Sequence, residues 1–243
     1  MTKGPSKAPT MADRYFAPDI NAEQTEYLLS GPEAHHLVQV CRARIGTELV
    51  LFNGKGLRAE AVVTQPSKRE ALLEIKRSEQ SAPLPSHTIA AAIPKGDRAL
   101  VMIEKCTELG VTRFIPLRTE RSVTLPREGK LDRFERAVIE ACKQSGRDEL
   151  MVIEEPCLWD DFCERAEGSR WMFDVSGDAI DRTCAEGPRT IAIGPEGGWT
   201  DKEVELARER GWRVVRLPGA ILRVETAAIA AASLMQIYSH GAI

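Results

Sequence analysis

Apolar and polar residues follow two different rhythms along this chain. Up to about residue 80, short apolar runs are separated by turn residues: 48–52 reads as a strand, Asn53-Gly54-Lys55-Gly56 as a hairpin turn, 57–63 as the returning strand and 71–75 as another. Ahead of them, residues 33–42 carry apolar side chains at helical spacing. Beyond residue 86 the rhythm changes to strands alternating with amphipathic helices. Strands are predicted at 87–93, 111–117, 170–174, 191–193 and 213–217, and helices at 97–109, 131–145, 159–166 and 201–210. Such alternation predicts an α/β domain with a mostly parallel sheet covered on both faces. Between the two patterns, Ser81-Ala82-Pro83-Leu84-Pro85-Ser86 is a proline-stiffened joint. The chain thus divides into a polar tail at 1–12 that is expected to be disordered, a small β domain at 13–80, a linker at 81–86 and the α/β domain at 87–243.

The densest chemistry lies near the C-terminal end. Ile191-Ala192-Ile193 runs into Gly194-Pro195-Glu196-Gly197-Gly198, a turn whose glycines let a backbone approach a ligand closely. Thr200-Asp201-Lys202-Glu203 then has the form of a capping box, in which the threonine and glutamate side chains satisfy exposed N–H groups at a helix start. A second unit of the same kind follows: a strand to Leu217, the turn Pro218-Gly219-Ala220, then Leu222-Arg223-Val224-Glu225-Thr226 leading into an alanine-rich helix. Turns from neighbouring strands would face one pocket. Neither G-x-G-x-x-G nor G-x-x-x-x-G-K-[ST] occurs, so a pyrophosphate is not the expected ligand. An acidic Glu196 with no lysine beside it suits a ligand with little negative charge or a positive centre. S-adenosylmethionine, a sulfonium bearing an adenosine, meets that description, although composition alone does not select it.

Charge and cysteine content narrow the class. The net charge is −3, from 33 basic and 36 acidic side chains, but its distribution is uneven. Residues 95–147 hold twelve Lys or Arg against eight Asp or Glu, a local +4, whereas 148–210 hold seven against seventeen, a local −10. An acidic chain can still carry a basic face for nucleic acid. No apolar run approaches the eighteen or so residues of a membrane span, and no signal peptide opens the chain, so a cytoplasmic location without membrane attachment is expected. The six cysteines, Cys41, Cys106, Cys142, Cys157, Cys163 and Cys184, form no C-x-x-C pair and do not cluster with histidine, so no metal site is expected.

The segments I-G-P-E-G-G and L-x-G-x-x-L-R-x-E-T-A resemble the C-terminal signature of the RsmE family, bacterial 16S ribosomal RNA uridine-N3 methyltransferases of the SPOUT superfamily. Further matches run in the family's order from Arg14 onward: Arg14-Tyr15-Phe16, His35-His36-Leu37, Lys95-Gly96-Asp97-Arg98, Glu104 to Gly110, Thr119-Glu120-Arg121-Ser122 and Gln144-Ser145-Gly146-Arg147. The resemblance implies a PUA-like N-terminal barrel that binds RNA and a trefoil-knotted C-terminal α/β domain. It also implies S-adenosyl-L-methionine as cofactor, 16S rRNA of the small ribosomal subunit as partner, and a homodimer. The cofactor would meet Ile193, Gly194, Pro195, Glu196, Gly197, Gly198, Leu217, Gly219 and Leu222, with Met172 and Phe173 as apolar neighbours and Thr226, Ala227 and Ala228 closing the pocket. Where the family often carries a basic residue in the second turn, Ala220 stands here.

Methylation at N3 of uridine requires the N3 proton to leave or the developing imide anion to be held by cationic donors, since opposite charge lowers an acid's pKa. Arg223, beside the second turn, is the first candidate, with Glu225 either orienting it or capping the last helix. Arg14, Arg42, Arg44, Lys95, Arg121 and Arg147 are the candidate RNA contacts, and Lys55, Arg58, Lys68 and Arg69 add basic positions on the β domain. Two alternatives stay open: a related enzyme acting on ribose 2′-OH or on tRNA, and an RNA-binding assembly factor of the same fold without activity.

Overall fold

The computed structural model describes residues 14–123, 130–180 and 187–239, and the expected tail at 1–12 lies outside them. The chain forms two compact units, one taking the chain up to Pro83 together with Ile139–Leu150, the other Leu84–Val138 and Met151 onward.

The first unit is built on one sheet. Its strands are β1 (Arg14–Phe16), β2 (Glu26–Leu29), β3 (Glu48–Phe52), β4 (Leu57–Pro66) and β5 (Ala71–Gln80), in the order β1-β3-β4-β5-β2. β1 runs parallel to β3 and every other pairing is antiparallel. The hairpin between β3 and β4 forms where Asn53 marked it: Asn53 Oδ1 accepts from the amides of Lys55 (2.7 Å) and Leu57 (3.1 Å). Alternation along β4 turns Leu57, Ala59, Ala61 and Val63 inward onto Tyr15, Leu29, Leu37, Leu51 and Leu73. β2 escaped the sequence reading because Glu26-Tyr27-Leu28-Leu29 has no clear alternation. The expected helix at 33–42 is also shorter and irregular. A single α-turn, α1 (Gly31–His35), passes into a wide π-type turn at His36–Val40, and Arg42 then takes φ +55°, an uncommon conformation for a residue with a side chain.

The returning segment Ile139–Leu150 completes this unit. Leu150 donates its amide to Gly54 O at 2.9 Å. Asp148 Oδ1 meets the guanidinium of Arg14 at 2.5 Å with both side chains under a tenth exposed, and Arg14 also donates to Arg147 O at 3.1 Å. The same guanidinium lies 5.0 Å from the Phe52 ring centroid, and Ser81 Oγ donates to Asp148 Oδ2 at 3.1 Å. Ionic, cation–π and hydroxyl partners thus surround one buried pair.

The second unit is the expected parallel α/β arrangement. β6 (His87–Ala92), β7 (Arg113–Arg118), β8 (Val152–Ile153), β10 (Ser169–Ala179), β11 (Arg189–Ile193) and β12 (Arg213–Arg216) follow the order β12-β10-β11-β6-β7-β8, and the short β9 (Cys157–Leu158) also pairs with β7. All of these pairings are parallel. Its helices are α2 (Arg98–Glu108), α3 (Lys130–Ser145, whose last turns belong to the first unit), α4 (Trp159–Arg165), α5 (Asp201–Glu209) and α6 (Val224–Ser239). Ala90, Ile115, Met172, Ala192 and Val214 join Trp159, Phe162, Trp199, Ala207 and Trp212 in one core cluster. Trp159 is its hub, with ring centroids 4.8 Å from Trp199 and 5.1 Å from Trp212. The alternate positions Ile89, Ala91, Phe114 and Ile191 are buried as well, and α6 lies along β6 and β11 and packs on α2. β10 runs well past its expected end at 174. Its pairing with β12 shifts register between Phe173 and Asp178, so the strand is bulged there.

Burial also sets the chemistry of the thiols. Desolvation pushes Cys106 up to about 12 and both Cys142 and Cys163 up to about 11. A thiol reagent at about pH 8 should label exposed Cys41 in the native protein, while those three react only after unfolding. Because their folded values lie above the unfolded 9.0, their contribution to stability is complete below pH 9 and is lost as pH rises toward 11–12. A lower urea midpoint at about pH 10.5 than at about pH 8 is the expected result.

Candidate functional site

Parallel strands end together, and the loops leaving their C-terminal ends form the customary ligand edge of such a sheet. Here those loops follow Ala92, Arg118, Ile193 and Arg216.

The loop after β11 is fixed from both sides. Gly194 packs against the Trp199 indole so closely that an added Cβ would lie 2.9 Å from the ring. Trp199 Nε1 donates to Phe173 O at 3.0 Å, tying the loop to the middle of β10. The capping box is complete: Thr200 Oγ1 accepts from Glu203 N, and Glu203 Oε2 accepts from Thr200 N at 2.8 Å. Buried Glu203 also accepts Glu120 N on its other oxygen at 2.9 Å, which links α5 to the loop after β7.

Next to it lies a cavity of about 600 Å³, within the range that holds a small-molecule ligand. Its walls are the loop after β12, from Arg216 through Leu217, Pro218 and Gly219 to Leu222, with Phe173, Asp174 and Val175 of the bulged β10 and Ala227 of α6. The surface is largely apolar side chain and turn backbone, with one carboxylate and one guanidinium among the lining groups. At the start of α6, Glu225 is 8% exposed, and its Oε2 is buried with no hydrogen-bond partner among the described residues. Its neighbouring cation is Arg98 at 3.9 Å, and Arg98 also donates to Glu196 Oε1 at 3.4 Å and Lys95 O at 3.3 Å. Arg98 therefore bridges the first glycine turn and the last helix. No metal-binding cluster exists among the described residues.

A model of the RNA methyltransferase domain matches residues 80–236, and one of the RNA methyltransferase PUA domain matches residues 29–76. The chain belongs to the RNA methyltransferase family. Among its relatives, ribosomal RNA small subunit methyltransferase E of Synechocystis is 35% identical over 221 residues, covering 87% of this chain and 72% of the relative. The Bacillus subtilis protein of the same name is 30% identical, covering 90% and 94%. A crystal structure of ribosomal RNA small subunit methyltransferase E from Neisseria gonorrhoeae bound to S-adenosyl methionine superposes with a TM-score of 0.85 at 29% identity, covering 93% of this chain and 98% of that one.

Within this RNA methyltransferase the expected site residues separate into groups. Phe173, Leu217, Gly219, Leu222 and Ala227 line the cavity. Met172 does not: strand alternation turns it into the tryptophan cluster, where it is fully buried. Ile193, Gly194 and Pro195 are buried beneath the first turn, Glu196 and Gly197 are exposed and Gly198 is half-buried, and none of these lines the cavity. Ala228 is wholly buried within α6 and Thr226 is exposed. Arg223 is exposed and makes no ion pair with Glu225, whose partner is Arg98 instead.

The expected RNA contacts separate too. Arg42, Arg44 and Lys95 are exposed. Arg14 is turned inward onto Asp148, and Arg147 is half-buried. Arg121 donates to main-chain oxygens of the first turn.

Arg98, Trp199, Asp174 and Arg216 were not among the expected site residues. Arg98 sits in the Lys95–Arg98 match, Asp174 closes the strand expected at 170–174, and Arg216 ends β12. Position gave a signal for all three, whereas Trp199 could have been found only through its tertiary bond to Phe173.

Proposed function

We propose that this chain transfers a methyl group from S-adenosyl-L-methionine to N3 of a specific uridine in 16S rRNA of the small ribosomal subunit. The observation that carries the reading is the 600 Å³ cavity at the C-terminal edge of the parallel sheet, walled by a glycine turn and apolar side chains. Such a lining fits an adenosine: apolar Phe173, Leu217, Pro218 and Leu222 for the base, main-chain groups of the turn for its polar edge, and Asp174 and Arg216 for the polar ends. Gly219, at φ +99°, supplies the positive-φ corner of that wall.

When bound, the cofactor supplies an electrophilic methyl on a sulfonium. The protein's part is to orient the uracil, exclude water and hold the charge that appears on N3 as its proton leaves. Exposed Arg223, beside the turn, is the guanidinium assigned to that charge. Glu225, buried with one oxygen that accepts no hydrogen bond among the described residues, is assigned to orienting the uracil, and Arg98 keeps a positive charge beside that oxygen.

Arg42 and Arg44 on the first unit and Lys95 on the second are assigned to phosphate contacts. A homodimer, a cytoplasmic location and a trefoil path for the C-terminal domain belong to the same reading. Supporting it are the placement of β11 between β10 and the earlier β6, the return of α6 onto α2, and the lack among the described residues of any helix able to cross a membrane.

Calorimetric titration with S-adenosylmethionine should give saturable one-site binding. Incubation with unmethylated small subunits, followed by mass mapping of the RNA, should place one methyl on a uracil base. A methyl on a ribose or on tRNA would overturn the assignment.

A further inference from the structure

The exposed guanidinium of Arg121 looks at first like a phosphate ligand, but its hydrogen bonds point elsewhere. Its Nη1 donates to Gly197 O at 2.9 Å and to Trp199 O at 3.2 Å. Its aliphatic stem lies over Gly197, where an added Cβ would come within 3.3 Å of Arg121 Cβ and 3.5 Å of its Cδ. The turn thus has room for this side chain because residue 197 has none.

The arginine's own loop is held as well. Thr119 N donates to Ser122 Oγ at 2.9 Å, and Glu120 N donates to buried Glu203 at 2.9 Å. Trp199, whose carbonyl Arg121 holds, passes the restraint on through Nε1 to Phe173 O, and Phe173 forms part of the cavity wall.

We infer that Arg121 is a positioning residue that braces the Gly194–Gly198 turn and, through Trp199 and Phe173, sets the shape of the ligand cavity, rather than a contact to RNA phosphate. This rests on the reading of the cavity as the cofactor site. A charge-assisted donor shared by two carbonyls ties its own loop to the 197–199 segment at two points, more strongly than a neutral hydrogen bond does.

The test compares the full-length protein with Arg121→Ala and Arg121→Lys. In the brace, Arg121→Ala weakens S-adenosylmethionine binding by about tenfold in calorimetry, raises its KM with little change in kcat, and leaves the salt dependence of RNA binding unaltered. Arg121→Lys recovers most of the affinity, since a single nitrogen makes both bonds. A phosphate contact predicts the opposite: unchanged cofactor affinity and a log K against log salt slope shallower by about 0.7 to 0.9. That outcome would overturn the inference.

Hydrogen exchange in the protein without cofactor keeps the result separate from the cofactor reading. The amides of Gly198 and Thr200, bonded to Pro195 O and Glu203, should exchange about tenfold faster in Arg121→Ala. Faster exchange in a protein that fails to bind the cofactor would keep the brace and reject the cofactor reading. Unchanged exchange would reject the brace itself.

Discussion

Arg14→Ala should destabilise the N-terminal unit by about 3–5 kcal/mol, because it strands Asp148 without its cation in a site under a tenth exposed. The cost comes from the abandoned partner and not from the intrinsic strength of the pair. Replacing both residues, as Arg14→Met with Asp148→Leu, should therefore recover most of the loss. Ser81 Oγ would still lose its acceptor, so recovery should fall short by roughly 1 kcal/mol. The measurement is denaturant unfolding read by amide exchange in β3 and β4, since all four tryptophans lie in the other unit. Equal destabilisation by the single and double variants would show that the charges are not the source of the effect.

Gly219→Val should weaken S-adenosylmethionine binding by about 100-fold, the second large effect. Residue 219 holds φ +99°, a conformation that a β-branched residue adopts only under strain of about 1–3 kcal/mol. Relief of that strain requires the turn between Leu217 and Leu222 to move, and that turn is a wall of the cavity. No atom lies within 4 Å of the position an added Cβ would take, so core packing is untouched and the melting temperature should drop by only a few degrees. Calorimetry and a thermal scan on the same preparation separate these effects. Undiminished affinity would place the ligand away from this turn.

Much of the architecture could be read from local signals. The β3–β4 hairpin, the α5 capping box and the alternation of strands and helices each depend on residues within a few positions of one another, and each stands where it was expected. What escaped depends on distant partners. Arg14 reads as an exposed basic residue until Asp148 is brought to it. Met172 and Phe173 are equally apolar in sequence, and only the phase of β10 decides that one enters the core and the other the cavity. The extension of β10 through Asp174, Ser176, Gly177 and Asp178 runs against strand propensity. It is possible because Gly177 lets the chain pass the Val214–Val215 backbone, where a Cβ would lie 2.6 Å from Val215 N. The cation beside Glu225 was likewise misread, since Arg223 is its sequence neighbour and Arg98 its spatial one.

The segment Ile139–Leu150 gives the order of synthesis a physical consequence. While the chain is being translated, β1 to β5 leave the ribosome with Arg14 and Gly54 still lacking Asp148 and Leu150. Most of the second unit's first half must emerge before those partners arrive. A nascent chain stalled after Pro83 should therefore hold its amino-terminal sheet only loosely, and that sheet should become protease-resistant once Leu150 has cleared the exit tunnel.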